Sequence, residues 1–264
     1  MAAQLRAAGI DYEFVTAVDG RDLDWSDPQT VAAFAPSYRG SDWFRPTRAG
    51  CALSHLGVYR KILADGHEHA LVLEDDVTLP ADLPAILDAL TGQLASAEVA
   101  LLNFDSTDTC RVRRKDSVDL PSARQLVHPV DVNQPMSAAA YVITWQACKR
   151  MDAGRLPIRA KTDDWGHFYH DGLLDRLRCV VPLAVTKAPD FASTIGADSE
   201  GSLKGRLLDL ITRYNVWPLQ RALAFRRRWI WRRYTRVEFV DEHSANRVSG
   251  RPLPARRSRR ASRP

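Results

Sequence analysis

The chain has 264 residues, of which 45% are hydrophobic, so its length predicts one substantial domain with an extension rather than two full domains. It contains no run of about 18 apolar residues and no apolar leader at its start, which excludes a membrane-spanning helix and a signal peptide and predicts a cytoplasmic protein. Residues 201–264 hold 17 Lys and Arg against 4 Asp and Glu, although the net charge of the whole chain is only +5. An acidic body therefore carries a basic tail.

The first third of the chain predicts two helices and one strand. Residues 2–8 read as a helix closed by Gly9, and residues 12–18 read as a strand. Residues 22–48 are rich in Asp, Pro, Ser and Arg, which indicates a long irregular loop with at most a short helix. Between residues 50 and 65, apolar side chains recur every three or four positions, a spacing that predicts an amphipathic helix.

The rest of the body alternates apolar runs with helical patterns. We predict helices at 81–94 and 146–156, and strands at 70–73, 99–104, 138–144 and 179–185. The last strand is predicted at a sheet edge, because Pro182 interrupts it. Strands that alternate with helices indicate an α/β domain with a mostly parallel or mixed sheet.

The four cysteines are widely spaced in the sequence. Cys51, Cys110, Cys148 and Cys179 form no Cys-x-x-Cys pair, and we saw no His at ligand spacing. The sequence therefore predicts neither a zinc site nor a disulfide framework, but reduced and mostly buried thiols.

Three adjacent carboxylates follow the clearest apolar strand: Glu74, Asp75 and Asp76. Ligands of α/β sheets gather at the carboxyl ends of strands. Two like charges about 4 Å apart repel by about 4 kcal/mol at an effective dielectric near 20, so the cluster needs a cation or open water. Mn²⁺ or Mg²⁺ suits such hard oxygens and stabilises a departing diphosphate. The alternative is a solvated acidic turn before the next helix.

Six segments carry a joint pattern around and beyond this strand. They are GCALSHLGVYRKIL at 50–63, ALVLEDDV at 70–77, FVTAVDG at 14–20, AAAYVI at 138–143, KTDDW at 161–165 and STI at 193–195. Together they closely resemble glycosyltransferase family 25, which includes bacterial lipooligosaccharide galactosyltransferases and is related to collagen galactosyltransferases. The resemblance implies a GT-A type nucleotide-sugar-binding fold, inverting transfer from a UDP-sugar, and an acidic motif that serves the metal.

The resemblance also assigns roles to individual residues. Glu74, Asp75 and Asp76 match the metal motif, and Asp75 is expected to contact the donor as well. Ser54 and His55 match the Ser-His position of the family and are expected near the donor. Without the resemblance, a lone His in an amphipathic helix is more often a packing or hydrogen-bonding residue.

A second acidic pair, Asp163 and Asp164, matches the position where the family carries an acidic residue late in the domain. An inverting transfer needs a base that takes the proton of the acceptor hydroxyl, and a carboxylate can do this. Asp164 is favoured over Asp163. The alternative is that Asp164 caps a helix over residues 165–169.

The sequence departs from the family at its start. Family members usually begin with an apolar strand and an Asn-Leu-Asp-Arg type segment, which this sequence does not show. We therefore expect a fold that lacks its first strand, with an exposed sheet position and an incomplete nucleoside pocket.

The tail interleaves arginines with aromatic residues between 219 and 236. This composition is typical of segments that meet an anionic membrane surface, and the alternative is a terminal helix that packs its aromatic side chains on the domain. We divide the chain into a glycosyltransferase domain (1–200), a basic aromatic helical extension (201–240) and a disordered basic tail (241–264). A nucleic-acid partner is not expected, because the body is acidic and no known binding motif is present.

Two functions are consistent with these features. The first is a metal-dependent inverting transferase, peripheral on the inner face of the inner membrane. It is expected to move a hexose, with galactose as the favoured sugar, from a UDP-sugar donor to a lipid-linked saccharide acceptor of the bacterial cell envelope. The second is an inactive shortened relative that serves as a membrane- or partner-binding module.

Overall fold

The structure is a computed structural model that describes residues 1–106, 109–113, 115–188, 234–238 and 247–249. Its helices are α1 (Ala2–Ala7), α2 (Pro28–Ala32), α3 (Pro36–Arg39), α4 (Pro46–Asp65), α5 (Leu83–Thr91), α6 (Trp145–Gly154) and α7 (Trp165–His170). Its strands are β1 (His69–Leu73), β2 (Val77–Thr78), β3 (Glu98–Leu101), β4 (Cys110–Arg113), β5 (Val118–Leu120), β6 (Arg124–Val127), β7 (Ala140–Thr144), β8 (Arg176–Val181), β9 (Thr186–Lys187), β10 (Tyr234–Glu238) and β11 (Arg247–Ser249).

The centre of the molecule is a six-stranded sheet with the strand order β1-β7-β3-β8-β6-β5. Strands β3 and β8 are parallel, and the other neighbouring pairs are antiparallel. The predicted α/β architecture with a mixed sheet is confirmed, although the sheet is mostly antiparallel. Strands β1, β3 and β8 run in one direction, so their carboxyl ends share one edge of the sheet.

Both faces of the sheet are covered by helices, which explains why its strands are apolar runs rather than alternating patterns. In β7, Tyr141 and Ile143 point into a cluster that includes side chains of α4, α6 and α7. Ala140 and Val142 point into the opposite cluster, which includes side chains of α5. The core is therefore split into two layers by the sheet.

Helix α4 is the longest helix among the described residues and carries much of the candidate site. It begins at Pro46, four residues before the predicted start, because proline is well suited to the first turn of a helix. It ends at Gly66, whose φ of 72° is the left-handed conformation that glycine adopts readily. Leu56, Tyr59 and Ile62 are buried along one face against the sheet.

The strand predicted at residues 12–18 was wrong. Residues 11–19 form neither a helix nor a strand, and Phe14 exposes 67% of its surface. The segment is held instead by its contacts with α4, among them the hydrogen bond from Val18 N to Ser54 Oγ. The apolar alternation that suggested a strand therefore has no sheet partner among the described residues.

The loop predicted at residues 22–48 contains two short helices, α2 and α3. Asp27 caps α2 by accepting hydrogen bonds from Gln29 N and Thr30 N. Phe34 and Tyr38 are buried in a third apolar cluster against the first turns of α4. This part of the chain is therefore packed more closely than its polar composition indicated.

Two further differences concern strands. The strand predicted at 179–185 is β8, which lies inside the sheet between β3 and β6, so its predicted edge position was wrong. Pro182 does not interfere, because it follows the last residue of the strand. The polar stretch from 106 to 125 contains β4 and β5, which the sequence did not predict.

The tail is described only in part. Residues 201–233 lie outside the described residues, and with them most of the predicted helical extension and most of the predicted membrane-binding segment. Residues 234–238 form β10, which pairs antiparallel with β4, so the prediction of a helix was wrong for these five residues. Residues 247–249 form β11 beside β10, contrary to the predicted disorder at these positions. No helix in the described part of the chain is long and apolar enough to cross a membrane.

Candidate functional site

Glu74, Asp75 and Asp76 form an acidic turn at the carboxyl end of β1, as predicted. Glu74 N donates to Ala139 O at 2.8 Å, and Asp76 O accepts from Ala188 N at 2.7 Å. Strand β2 then begins directly after the turn and pairs with β9. The backbone of the turn is thus fixed on both sides before its side chains are considered.

Asp76 has an unusual environment for a carboxylate. Its Oδ1 atom is buried and has no hydrogen-bond partner among the described residues. Burial raises the pKa of Asp76, the neighbouring Glu74 carboxylate raises it further, and Lys187 opposes both effects. A buried carboxylate oxygen without a donor is costly unless a cation meets it, so this atom fits a metal ligand. Asp75, between the two, is exposed.

Two charged residues near the turn were missed by the sequence analysis. Asp105 follows β3 and therefore lies at the same edge of the sheet as Asp76, and its Oδ2 lies 3.8 Å from Lys187 Nζ. Lys187 belongs to β9 and is the pairing partner of Val77. The signal for Asp105 was its position just after a buried strand, whereas nothing local marked Lys187.

A second group of side chains meets beside the turn. Cys51 and His55 lie one turn apart on α4, and each offers an atom within 4.8 Å of the other and of a Glu74 oxygen. His55 Nε2 lies 3.8 Å from Glu74 Oε1. In the described part of the chain this is the only such trio of metal-binding side chains, and the three predicted metal ligands do not form one. Cys51 and His55 have helical i, i+4 spacing, so the prediction that no His lies at ligand spacing to a cysteine was wrong for this pair.

The buried His55 ring is part of a polar chain that runs into the core. Its Nδ1 lies 2.7 Å from Tyr141 Oη, which donates to Tyr59 Oη at 3.3 Å. Burial would lower the pKa of His55, but Cys51 and the Glu74 carboxylate outweigh it and raise the pKa. The His55 ring also stacks on the Tyr141 ring, with their centroids 5.8 Å apart. The expected packing and hydrogen-bonding role is thus present, together with a position beside the acidic turn.

Ser54 connects α4 to the segment that precedes it. Its Oγ accepts from Val18 N at 2.8 Å and donates to Gly50 O at 2.8 Å. Gly20 and Gly50 touch backbone to backbone at the same place, where a Cβ on Gly50 would lie 2.4 Å from Gly20 N. Ser54 therefore holds residues 11–20 against the helix.

We expect Ser54→Ala to lower the free energy of unfolding by about 1 kcal/mol, because the hydroxyl makes one net stabilising hydrogen bond to Val18 N. Urea denaturation measures the change, and limited proteolysis after residue 12 reports whether the segment loosens. Ser37→Ala, at an exposed position of α3, is the matched control. Equal stability of the two variants would show that the Ser54 bridge contributes nothing.

A cavity of about 1070 Å³ lies between β1, α4 and the segment at 10–18. Its lining includes all five residues predicted to bind metal or donor: Ser54, His55, Glu74, Asp75 and Asp76. Strand β1 ends the sheet as the structure describes it, and all its residues line this cavity. Ligand pockets typically span about 300–1,000 Å³, so a nucleotide-sized ligand fits. The predicted lack of a first strand stays a prediction.

The second acidic pair lies at the start of α7. Asp164 is the N-cap of this helix, and its Oδ1 accepts from His167 N at 3.3 Å. The alternative capping interpretation is therefore confirmed for Asp164, while its role as a base stays a prediction. Neither Asp163 nor Asp164 is among the residues that line the cavity formed by the described chain. The next residue, Trp165, is buried against Tyr141, with ring centroids 5.0 Å apart.

Comparison with known proteins adds evidence of descent. Residues 1–164 match the family model described as glycosyltransferase family 25 (LPS biosynthesis protein). A protein of Aedes aegypti described as a "Glycosyltransferase 25 family member" is 40% identical over 73 residues. The match covers 26% of this chain and 12% of that protein, so the chain spans only a small part of this relative.

Proposed function

The chain belongs to glycosyltransferase family 25, and from this premise we propose that it is a metal-dependent inverting transferase. Its donor is a UDP-hexose, with UDP-galactose as the first to test, and its acceptor is a lipid-linked saccharide of the bacterial cell envelope. The observation that carries the proposal is the acidic turn at the end of β1, which opens on a cavity of nucleotide size. The site residues lie within the part of the chain that matches the family.

The acidic turn is the site we propose for Mn²⁺ or Mg²⁺. Asp76 contributes the buried Oδ1 atom, which has no hydrogen-bond partner in the described part of the chain and is the feature that best fits a hard cation. Asp75 and Glu74 flank it as further oxygen donors. The ion would neutralise the charge that develops on the diphosphate as UDP departs.

The donor is proposed to lie in the cavity between β1 and α4. His55 contacts it from the helix side, because its ring borders the cavity beside Glu74. Ser54 acts by fixing the wall at residues 11–20, since both of its hydrogen bonds go to backbone atoms of the protein. The wall also presents apolar side chains, among them Phe14 and Val15, against the donor.

The acceptor base is proposed to be Asp164, with Asp163 as the alternative. The cap of α7 uses Asp164 Oδ1, and a carboxylate has a second oxygen that can take a proton. Trp165 fixes the start of α7 by donating from Nε1 to Ser137 O at 2.8 Å. Trp165 of α7 packs against the Tyr141 ring, and the Tyr141 ring stacks on His55. These buried rings connect the start of α7 with the acidic turn.

The acceptor is proposed to be met at a membrane surface. The support is compositional: the last 64 residues hold 17 Lys and Arg, which attract anionic lipids by about 1 kcal/mol per residue near the surface. A lipid-linked saccharide would be concentrated at the same surface. This proposal predicts that the whole chain binds anionic vesicles more tightly than neutral ones.

Release of UDP tests the proposed function directly. The purified chain is incubated with UDP-galactose, UDP-glucose or UDP-N-acetylgalactosamine and a short lipid-linked saccharide, in Mn²⁺, in Mg²⁺ or with a chelator. We expect UDP release from one donor in Mn²⁺ that falls to background with the chelator, because the ion is needed to stabilise the leaving group. No release from any donor, together with vesicle binding that UDP and Mn²⁺ do not affect, would favour the non-catalytic module.

A further inference from the structure

One group of side chains beside the acidic turn includes sulfur and nitrogen atoms, which a Mn²⁺ or Mg²⁺ site does not require. Cys51, His55 and Glu74 offer one sulfur, one nitrogen and one oxygen atom, all within 4.8 Å of one another. Mn²⁺ and Mg²⁺ prefer oxygen ligands, whereas sulfur and imidazole together favour Zn²⁺. From this geometry we propose that Cys51, His55 and Glu74 form a Zn²⁺ site that adjoins the oxygen site of Asp76 and shares Glu74 with it.

The distances suit a tetrahedral ion after a small contraction. With bonds of about 2.0–2.3 Å, neighbouring ligand atoms around Zn²⁺ lie roughly 3.5 Å apart. His55 Nε2 and Glu74 Oε1 are already 3.8 Å apart, and the longest separation in the group is at most 4.8 Å. Side-chain movements of about 1 Å bring the three ligand atoms from these separations to those of a bound Zn²⁺ ion. Cys51 and His55 are held in register by α4, and Glu74 is held by the hydrogen bond from its backbone to Ala139.

The hydrogen bonds of His55 select the nitrogen that binds. Tyr141 Oη donates its proton to Tyr59 Oη, so its lone pair is free to accept from His55 Nδ1–H. In neutral imidazole this leaves the lone pair on Nε2, the nitrogen that faces Glu74. Zinc-bound histidines usually donate their other N–H in this way, which fixes the tautomer and the ring orientation. Tyr141 is thus a positioning residue for the proposed site.

The site has an open side. All three ligands line the cavity, so a fourth ligand, water or a solute, is able to reach the ion from there. Three protein ligands and one open position are the arrangement of zinc sites that bind exchangeable ligands rather than closed structural ones. The inference does not depend on the transfer reaction, because Zn²⁺ binding needs no nucleotide and no acceptor.

Thiol chemistry provides a selective readout. Among the four cysteines, Cys51 alone is partly exposed, while Cys110, Cys148 and Cys179 are buried. Burial also raises the pKa of Cys110 and of Cys148 to about 12, which keeps these thiols unreactive near neutral pH. Alkylation of the native protein therefore reports Cys51.

The experiment measures the alkylation rate of the full chain, freed of metal by a chelator, as Zn²⁺ is titrated. We expect one equivalent of Zn²⁺ to slow alkylation by at least about 10-fold, and Mg²⁺ or Mn²⁺ to change it less than about 2-fold, because a coordinated thiolate is shielded and hard ions bind sulfur weakly. Co²⁺ in place of Zn²⁺ should give a thiolate-to-metal absorption band, which Cys51→Ser removes.

Variants separate ligation from a structural effect. Glu74→Gln should weaken protection by Zn²⁺ at least about 10-fold, and Tyr141→Phe by about 10- to 100-fold, because it removes the acceptor for His55 Nδ1–H. Glu68→Gln, an exposed Glu just before β1, is the matched control and should behave as the wild type. The proposal is overturned if Zn²⁺ leaves the rate unchanged in the wild type, if Glu74→Gln is protected equally, or if Cys51→Ser retains the absorption band. Release of UDP is not part of this assay, so its failure leaves the proposed transfer reaction unaffected.

Discussion

Asp76→Asn is expected to lower Mn²⁺-dependent UDP release by about 100-fold or more. The substitution keeps the size of the side chain but removes the charge from the one buried carboxylate oxygen that has no partner among the described residues. Loss of one well-placed electrostatic contact to a developing charge commonly costs about 100- to 1,000-fold in rate. The measurement is the rate of UDP release at saturating donor, in Mn²⁺, for the variant and the wild type.

A second measurement distinguishes a lost ligand from a damaged fold. The Asp76 carboxylate is unfavourable in the metal-free protein, because burial and the Glu74 charge both raise its pKa. Removal of that charge should therefore leave the Tm of the metal-free protein equal or higher. Asp88→Asn, at an exposed position of α5, is the matched control and should change neither the rate of UDP release nor the Tm. Activity of Asp76→Asn within about 3-fold of the wild type would contradict the assignment of Asp76 as a metal ligand.

The fold was predictable wherever a strong apolar period met a clear terminus. Helix α4 and strand β1 are such cases, because α4 has apolar side chains every three or four residues, β1 is a continuous apolar run, and Gly66 separates them. Strands β4 and β5 were missed because polar residues interrupt their apolar patterns. Strand β4 also pairs with β10, more than 100 residues further along the chain, whereas β5 pairs with the neighbouring β6. The strand predicted at 12–18 was wrong for the opposite reason. Its residue pattern is typical of a strand, but no neighbour pairs with it among the described residues.

The sequence predicted those site residues that a local pattern marks, but not those that the pairing of distant strands brings to the site. Glu74 and Asp76 were found because they directly follow a strand, and His55 because it lies in a recognised motif. Lys187 reaches Asp105 only because β9 pairs with β2 at the end of the acidic turn, a contact between residues more than eighty positions apart in the sequence. Such pairs need the topology of the sheet, which no local pattern supplies.

Gly50→Ala is expected to lower the free energy of unfolding by about 3 kcal/mol, although alanine favours helices. The reason is the contact between α4 and the segment at 11–20. A Cβ on Gly50 would lie 2.4 Å from Gly20 N and 2.5 Å from Val18 O, and backbone atoms cannot move aside as the end of a flexible side chain can. Either the helix or the segment must shift, and the wall of the cavity shifts with it. Thermal denaturation measures the loss, which should lower Tm by about 10 °C.

Gly57→Ala is the control that isolates the steric cause, since it makes the same substitution in the same helix. Gly57 is exposed, and a Cβ there would meet nothing within 4 Å, so alanine should stabilise the protein by about 0.5–1 kcal/mol through its helix propensity. Opposite signs for the two variants would show that contact with residues 18–20, not helix propensity, decides the effect at Gly50. If Gly50→Ala proved as stable as Gly57→Ala, the segment at 11–20 would not be packed on α4 as described. The proposed donor cavity would then lose one of its walls, because that segment forms the side that faces β1.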